Sequence, residues 1–518
     1  MNPWKTRIDR RQMMKTVGGA SAALALSRGA MARAALQGAA FEGTRKSLES
    51  YRAPGWFRDA KFGIWSHWGP QSAVEAGDWY ARNMYIQGSE QYNYHVETYG
   101  HPSKVGYKDI VGGWKAAQWD PEHLMGLYKR AGAKYFVSMG VHHDNFDLWD
   151  SKHNRWNAVQ MGPKRDIVGT WRDAARKAGL RFGVSEHLWI SYKWFGVSHL
   201  ADKTGSLAGV PYDGADPRFA DLYHDADCAR LAQPLGWNDD GIPESWKQHY
   251  LDRMTDLIDK YQPDLLYTDG HLPFEDYGLK MVAHLYNVSA AQHGGLCEAV
   301  YNSKLDTDCA LGTCLLDHER GVSDAISANP WQTDTCIGQW HYKRGQKYKT
   351  AKKVIDLLTD IVSKNGNLLL NFPLPNSGAL DWAELEVLSG ITQWMDTNSE
   401  GIYGSRPWKI YGEGPSTKAE IKSGGFNEDK RSDFTAEDVR FTTKGTTLYA
   451  FVQGWPGKEA QVKSLGLDSA TEPGKIQHVS LLGAKGEVKW TQESGALRVQ
   501  MPEEKISDIG ITLKVELA

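Results

Sequence analysis

The stretch Leu265-Leu266-Tyr267-Thr268-Asp269-Gly270 decides the fold, because a short apolar run ends there on a carboxylate followed by glycine. A run of this kind suits a strand buried on both faces, and in a barrel of parallel strands the catalytic groups stand at the strand ends. Asp-Gly is also a common turn pair, so one such end does not settle the matter. His67, the pair His142-His143 and Glu319 each fall at or just past the end of another apolar run. Strand ends that converge in this way describe one pocket.

Outward from this point, strand-like runs alternate with amphipathic helices, the pattern of a parallel sheet wrapped by helices. Lys61 to Ser66, Lys134 to Val141, Leu180 to Ser185, Cys297 to Tyr301, Cys314 to Leu316 and Leu368 to Phe372 read as further strands. Asp120-Pro121 reads as an N-cap with proline at the first helical position; Leu124, Leu127, Tyr128 and Ala131 follow as one apolar stripe that stops at Gly132. Thr170 to Gly179, the face Trp246, Tyr250, Met254, Leu257 and Ile258, and the stripe Val354 to Val362 read as other helices. Seven or eight such units, the second and seventh strands being hardest to place, predict an α/β fold with a (β/α)8-type barrel over residues 45–405. After Trp408 the text becomes glycine-rich and polar between short alternating segments (Thr447 to Val452, Gln477 to Leu482, Leu497 to Met501, Ile511 to Val515), which predicts a C-terminal β-sandwich over residues 406–518. The insertion Ser191 to Ile242, rich in Asp, Gly and Pro, is expected to be a barrel loop bearing on substrate choice or on contacts between protomers of a homo-oligomer.

Residues 1–32 read as a signal peptide. Arg10-Arg11 is a twin-arginine pattern, Val17 to Leu26 is a small-apolar run too short to span a bilayer, and Ala30-Met31-Ala32 is a cleavage site. Export of a folded protein to a bacterial periplasm or beyond is the expectation, with no membrane anchor once the signal is removed. Cleavage takes six basic residues against Asp9 and shifts the formal charge from -3 to -8. A mildly acidic protein has no electrostatic reason to seek nucleic acid or anionic lipid. Five cysteines without CxxC spacing argue against a zinc ribbon; a Cys309–Cys314 bridge is conceivable in an oxidising compartment, but burial in the core is an equal reading. The 21 Trp and 23 Tyr are unusually many, and those beside strand-end polar groups offer flat faces for sugar rings while the rest fill the core.

Several ordered motifs carry a resemblance. Trp56-Phe57 with Lys61-Phe62-Gly63-Ile64-Trp65-Ser66-His67-Trp68-Gly69, Asp78-Trp79-Tyr80, His142-His143-Asp144-Asn145-Phe146, Gly162 to Asp166, Ser363 to Asn371 and Gly401 to Trp408 together resemble glycoside hydrolase family 29, the α-L-fucosidases, over about residues 50–410. The resemblance implies exo-acting release of terminal α-L-fucose from oligosaccharides or polysaccharides, with retained configuration, through two carboxyl groups and no cofactor or metal. Pro263 to Asp269 matches the nucleophile motif, which makes Asp269 the predicted nucleophile.

The acid/base is placed differently among subgroups of the family. Glu319 is the choice here and Glu298 the fallback; a salt-bridged structural role beside Arg320 is the competing reading of Glu319. Where some members have Trp-Glu, this chain has Trp331-Gln332, and an amide cannot donate and recover a proton in that way. His67, His142, His143, Asp78 and Trp79 are carried over as sugar contacts. A metal on His142-His143 is disfavoured because adjacent strand residues face opposite ways unless the strand breaks.

Three departures from the family pattern matter. Asp78 stands where many members have Glu, and Asn145 where Gly is common. Ser185-Glu186-His187 replaces a Tyr-rich strand end, which gives Glu186 and His187 a place in the pocket or, alternatively, makes them a buried pair satisfying each other. With Glu186 facing the sugar, α-L-galactose or a related α-L-glycoside becomes the neighbouring substrate. A carbohydrate-binding barrel that has lost hydrolysis is the alternative of a different class.

Overall fold

A computed structural model describes residues 40–418 and 422–518. The expected signal peptide, residues 1–32, lies outside the described residues. Among the described residues no helix is long and apolar enough to cross a membrane.

Eight parallel strands form the first unit: β1 Phe62–Ser66, β2 Tyr135–Val141, β3 Arg181–Glu186, β4 Leu265–Thr268, β5 Val300–Ser303, β6 Leu315–Leu316, β7 Trp331–Cys336 and β8 Gly366–Asn371. They run in the order β6-β5-β4-β3-β2-β1-β8-β7, and a single parallel bridge from Asp317 to Gln332 joins the ends of this series into a barrel. Each strand alternates between two apolar environments. Ile64, Phe136, Leu266, Leu368 and Leu370 pack outward against the helices, whereas Trp65, Tyr135, Val137, Leu265, Tyr267, Val300 and Leu369 fill the barrel interior. Gly63 is required by this packing, since a Cβ there would lie 2.4 Å from the Tyr135 ring.

The helices follow from local chemistry. Asp120 caps Pro121–Arg130 by accepting from the His123 N–H, and Gly132 ends the turn at φ +104°. The helix expected from Thr170 begins three residues earlier, at Ile167, because Asp166 is its N-cap and accepts from the Gly169 N–H. A helix that the sequence reading omitted, Trp382–Asn398, carries a capping box of Asp381 and Glu384.

Two strands correct the expectation. β5 starts at Val300 and ends at Ser303, beyond the expected Tyr301, so its end delivers Lys304. The unplaced seventh strand is Trp331–Cys336, whose Gln332-Thr333-Asp334-Thr335 run is fully buried although it reads as polar. The interior at β6 and β7 accounts for this. Gln332 donates to Asp317 (2.8 Å) and accepts from the Tyr135 hydroxyl (2.9 Å), while Asp334 accepts from the Tyr267 hydroxyl (3.0 Å). Cys309 and Cys314 form a disulfide in the β5–β6 connection, and Cys228, Cys297 and Cys336 are free.

From β9 (Arg406–Glu413) onward the strands are antiparallel, in one sheet of five and one of three with its own apolar core. Asn145, where glycine is common, has φ +57°, a left-handed position that asparagine tolerates better than most residues. Its side chain accepts from Arg253 (2.6 Å), and the fully buried Arg253 also pairs with the equally buried Asp147. Removing the guanidinium strands a buried charge. Arg253→Ala is therefore expected to lower unfolding free energy by about 3–5 kcal/mol in urea titration, against a near-zero change were the pair solvated.

Candidate active site

Strand ends from most of the way round one face of the barrel build the site. β4 delivers Asp269, whose backbone N–H donates to the Glu186 carbonyl (3.1 Å) and whose carbonyl accepts from the Trp189 indole (2.6 Å). Its carboxylate is held on both oxygens. Oδ1 accepts from Lys304 (2.7 Å), while Oδ2 lies 3.0 Å from His187 Nδ1 and 3.4 Å from His143 Nε2. Burial would raise the Asp269 pKa, but the charge of Lys304 and the hydrogen bonds from the histidines outweigh it and hold the carboxyl well below the usual range.

Lys304 is the residue that organises the pocket, and the sequence reading missed it. Its ammonium bridges Asp269 Oδ1 and Glu319 Oε2, with Asp334 a further 3.8 Å away and the Tyr267 ring beneath. Two hydrogen bonds end to end bring those carboxylate oxygens within about 5.5 Å of one another. Glu319 ionises quite differently from Asp269. Burial raises it, Lys304 opposes this, and the charges of Asp269 and Asp334 raise it further, to about 7. One carboxyl is thus an anion and its partner a proton carrier across the same cavity.

The histidines are placed as hydrogen-bonding groups. His67, His142 and His187 line the cavity, and burial keeps all three below the normal imidazole range, His187 at about 4. Gln71 Nε2 donates to His142 Nδ1 (3.0 Å), which leaves Nε2–H as a donor. His187 donates through Nδ1 to Asp269, so its unpartnered Nε2 is an acceptor. A donor beside an acceptor suits vicinal hydroxyls. His143 donates to the His187 carbonyl (2.6 Å) and turns its Nε2 toward Asp269, so unlike His142 it stands behind the cavity wall and not in it. Donor atoms of His67, His142 and His187 lie within 4.8 Å of one another, as do those of His143, His187 and Asp269, so a divalent ion could be held here in the space the hydroxyls would use.

Other expected contacts are relocated. Asp78 lines the cavity, but its oxygens accept from the backbone N–H groups of Trp340 (3.1 Å) and His341 (2.6 Å); it positions the loop after β7. Trp79 lines the cavity beside Trp237 of the insertion, their rings 5.8 Å apart. Glu186 does not face the cavity. It is fully buried on the helix side of β3, accepting from Thr268 Oγ1 (2.7 Å), Tyr250 (2.9 Å) and the Leu188 N–H (2.9 Å), and burial raises it to about 7. Glu186→Ala should cost about 2–3 kcal/mol of stability with KM unchanged; a raised KM at unchanged stability would restore it to the pocket. Glu298 sits at the opposite rim, where its carboxylate is 3.7 Å from Arg181 at the start of β3, and it cannot partner Asp269.

The cavity has a volume of about 650 Å³, with Trp65, Tyr267 and Trp340 forming an aromatic wall. Asn371 at the end of β8 ties the wall together, accepting from the His67 N–H (2.7 Å) and donating to the Trp340 carbonyl (2.9 Å). A parallel barrel that carries two unlike carboxyl groups over a cavity with hydroxyl-binding histidines and an aromatic wall is the form of a glycoside hydrolase.

Comparison with known proteins narrows the class. Residues 30–400 match the family model described as Alpha-L-fucosidase, and residues 431–516 the one described as Alpha-L-fucosidase C-terminal domain. The chain belongs to the alpha-L-fucosidase family. It is 27% identical over 470 residues to the tissue alpha-L-fucosidase of Homo sapiens, covering 88% of this chain and 87% of that protein. It is 28% identical over 457 residues to that of Bos taurus, covering 86% and 83%. The crystal structure of Thermotoga maritima alpha-fucosidase in complex with fucose superposes with a TM-score of 0.67 at 25% identity, covering 92% of this chain and 99% of that one.

Proposed function

We propose that this glycoside hydrolase releases terminal α-L-fucose from glycans by double displacement, with Asp269 as nucleophile and Glu319 as acid/base. The observation that carries the reading is the Lys304 bridge between two carboxyl groups of opposite ionisation. A retaining enzyme needs carboxyl groups about 5–5.5 Å apart, a spacing that one bridging ammonium accommodates.

In the first step the Asp269 oxygen attacks C1 while Glu319 gives its proton to the leaving oxygen. The resulting Glu319 carboxylate is stabilised at once by Lys304. In the second step that carboxylate takes a proton from water, which attacks C1 and frees Asp269. His67, His142 and His187 supply hydroxyl contacts, His143 holds Asp269 and the His187 carbonyl from behind, and the aromatic wall suits the methyl group of a 6-deoxy sugar. No step calls for a cofactor or a metal ion.

Glu186, buried away from the cavity among Thr268, Tyr250 and the Leu188 N–H, offers no contact to a C6 hydroxyl that would favour α-L-galactose. A panel of aryl glycosides tests the choice: α-L-fucoside is expected to be turned over at least about tenfold faster than α-L-galactoside, an ordinary discrimination for one added hydroxyl. Equal rates would refute the assignment. The twin-arginine motif supports action outside the cytoplasm, on glycans met in the periplasm or beyond.

A further inference from the structure

Phe426 is an unusual residue in three respects at once. Its backbone is left-handed at φ +54°, a conformation that aromatic residues rarely adopt. Its side chain is 63% exposed although large and apolar. It nevertheless stands at the rim of the catalytic cavity, on a segment that follows β9 and lies outside the barrel strands. Strain of this kind persists only where the surroundings hold it, and it gathers at functional sites.

The surroundings do hold it. The Phe426 N–H donates to the carbonyl of Glu319 itself (2.7 Å), and the Asn427 and Glu428 N–H groups donate to the Arg320 carbonyl (3.1 and 3.0 Å). The Asn427 side chain pairs with both the N–H and the carbonyl of Val322 (2.9 and 3.0 Å). The buried Glu428 carboxylate is held by Lys349 (2.9 Å) and Thr335 (2.8 Å). Close approach is built in as well, since a Cβ on Gly321 would lie 2.0 Å from the Gly424 carbonyl oxygen. The loop and the Glu319 segment thus form one rigid unit.

What that unit encloses is a second cavity of about 460 Å³, sharing Lys304, Glu319 and Phe426 with the first. It continues past His318, Ser323 and Ser327 into a third of about 390 Å³. The acid/base touches the leaving oxygen, so whatever is attached to that oxygen must extend on the Glu319 side. The groove there is lined by hydroxyls, an imidazole and carboxylates rather than by a cationic cluster, which favours a neutral polar occupant over an anionic one.

On the fucosidase reading above, we propose that the Ser423–Glu428 loop and the groove beyond Glu319 bind the leaving-group portion of a neutral glycan, with Phe426 as the platform on which its first sugar ring stacks. The enzyme is thereby built for oligosaccharides that extend at least two sugars past the fucosyl bond.

Two substrates separate the parts of this proposal. α-L-Fucosyl fluoride has no leaving sugar, whereas a neutral fucosylated trisaccharide fills the groove. In Phe426→Ala the ratio of kcat/KM for the trisaccharide to that for the fluoride is expected to fall about tenfold, the scale of one lost stacking contact, and Phe426→Tyr should restore the wild-type ratio. An unchanged ratio in Phe426→Ala overturns the platform, as does an equal fall in Phe426→Tyr. Failure of the wild-type enzyme to hydrolyse either compound overturns the fucosidase reading itself.

Discussion

Asp269→Ala is expected to lower kcat/KM on an aryl α-L-fucoside by at least about 10⁴-fold, since removing the nucleophile removes the covalent route rather than one contact to it. The loss should not come from unfolding. Lys304 keeps Glu319 and Asp334 as partners, and the imidazole of His187, which burial keeps neutral, can turn to water admitted by the smaller side chain. Thermal unfolding should therefore remain near that of the wild type. Added azide, which fits the space left by the carboxylate, should restore turnover with a fucosyl azide of inverted configuration as product. Wild-type-like turnover in Asp269→Ala would remove the mechanism.

Glu319→Gln is expected to produce the second largest effect, and its signature is in the pH profile. Asp269 must be ionised, and its carboxyl stays well below the usual range, so it limits the rate only at strongly acidic pH. Glu319 must be protonated, and its pKa is raised to about 7. The acid form is lost as pH rises through that value, so wild-type kcat/KM should be flat below about 7 and fall tenfold per pH unit above it. In Glu319→Gln that alkaline limb should vanish. Rates should drop by about 10²–10⁴-fold for glycans, but far less for aryl fucosides whose leaving group needs no proton. A retained limb near pH 7 in the variant would place the acid elsewhere.

The parts of the protein that could be read from its sequence are those whose chemistry is local. The strand at Leu265–Thr268 and its terminal Asp269, the capped helix after Asp120, and the strand ends at His67 and His142 stand as the patterns indicate. A buried strand flanked by turn residues leaves the same mark wherever it packs. β7 left no such mark, because Gln332 and Asp334 face an interior already occupied by Asp317 and Tyr267, and only the closed barrel explains buried polar side chains there.

Lys304 was hidden for a related reason. The apolar run ends at Tyr301, yet β5 continues through Asn302 and Ser303, polar residues that donate to the Leu315 carbonyl and to Asp308. The same rule that singled out Asp269, a polar group just past a strand end, would have found Lys304 with the strand drawn two residues longer. Glu186 shows the converse. It does stand at a strand end, but the parity of β3 turns it toward Tyr250 and puts His187, the next residue, into the cavity. Phe426 had no local signal, since its place beside Glu319 depends on a segment more than a hundred residues away in the chain folding back.

Mapping the covalent intermediate tests the central claim most directly. A 2-deoxy-2-fluoro-α-L-fucosyl fluoride, which forms the ester quickly and hydrolyses it slowly, should label the enzyme one to one. After proteolysis, mass spectrometry should find the added fluorosugar on the Asp269 carboxylate. A label on any other side chain, or an enzyme that turns the compound over without labelling, would contradict it.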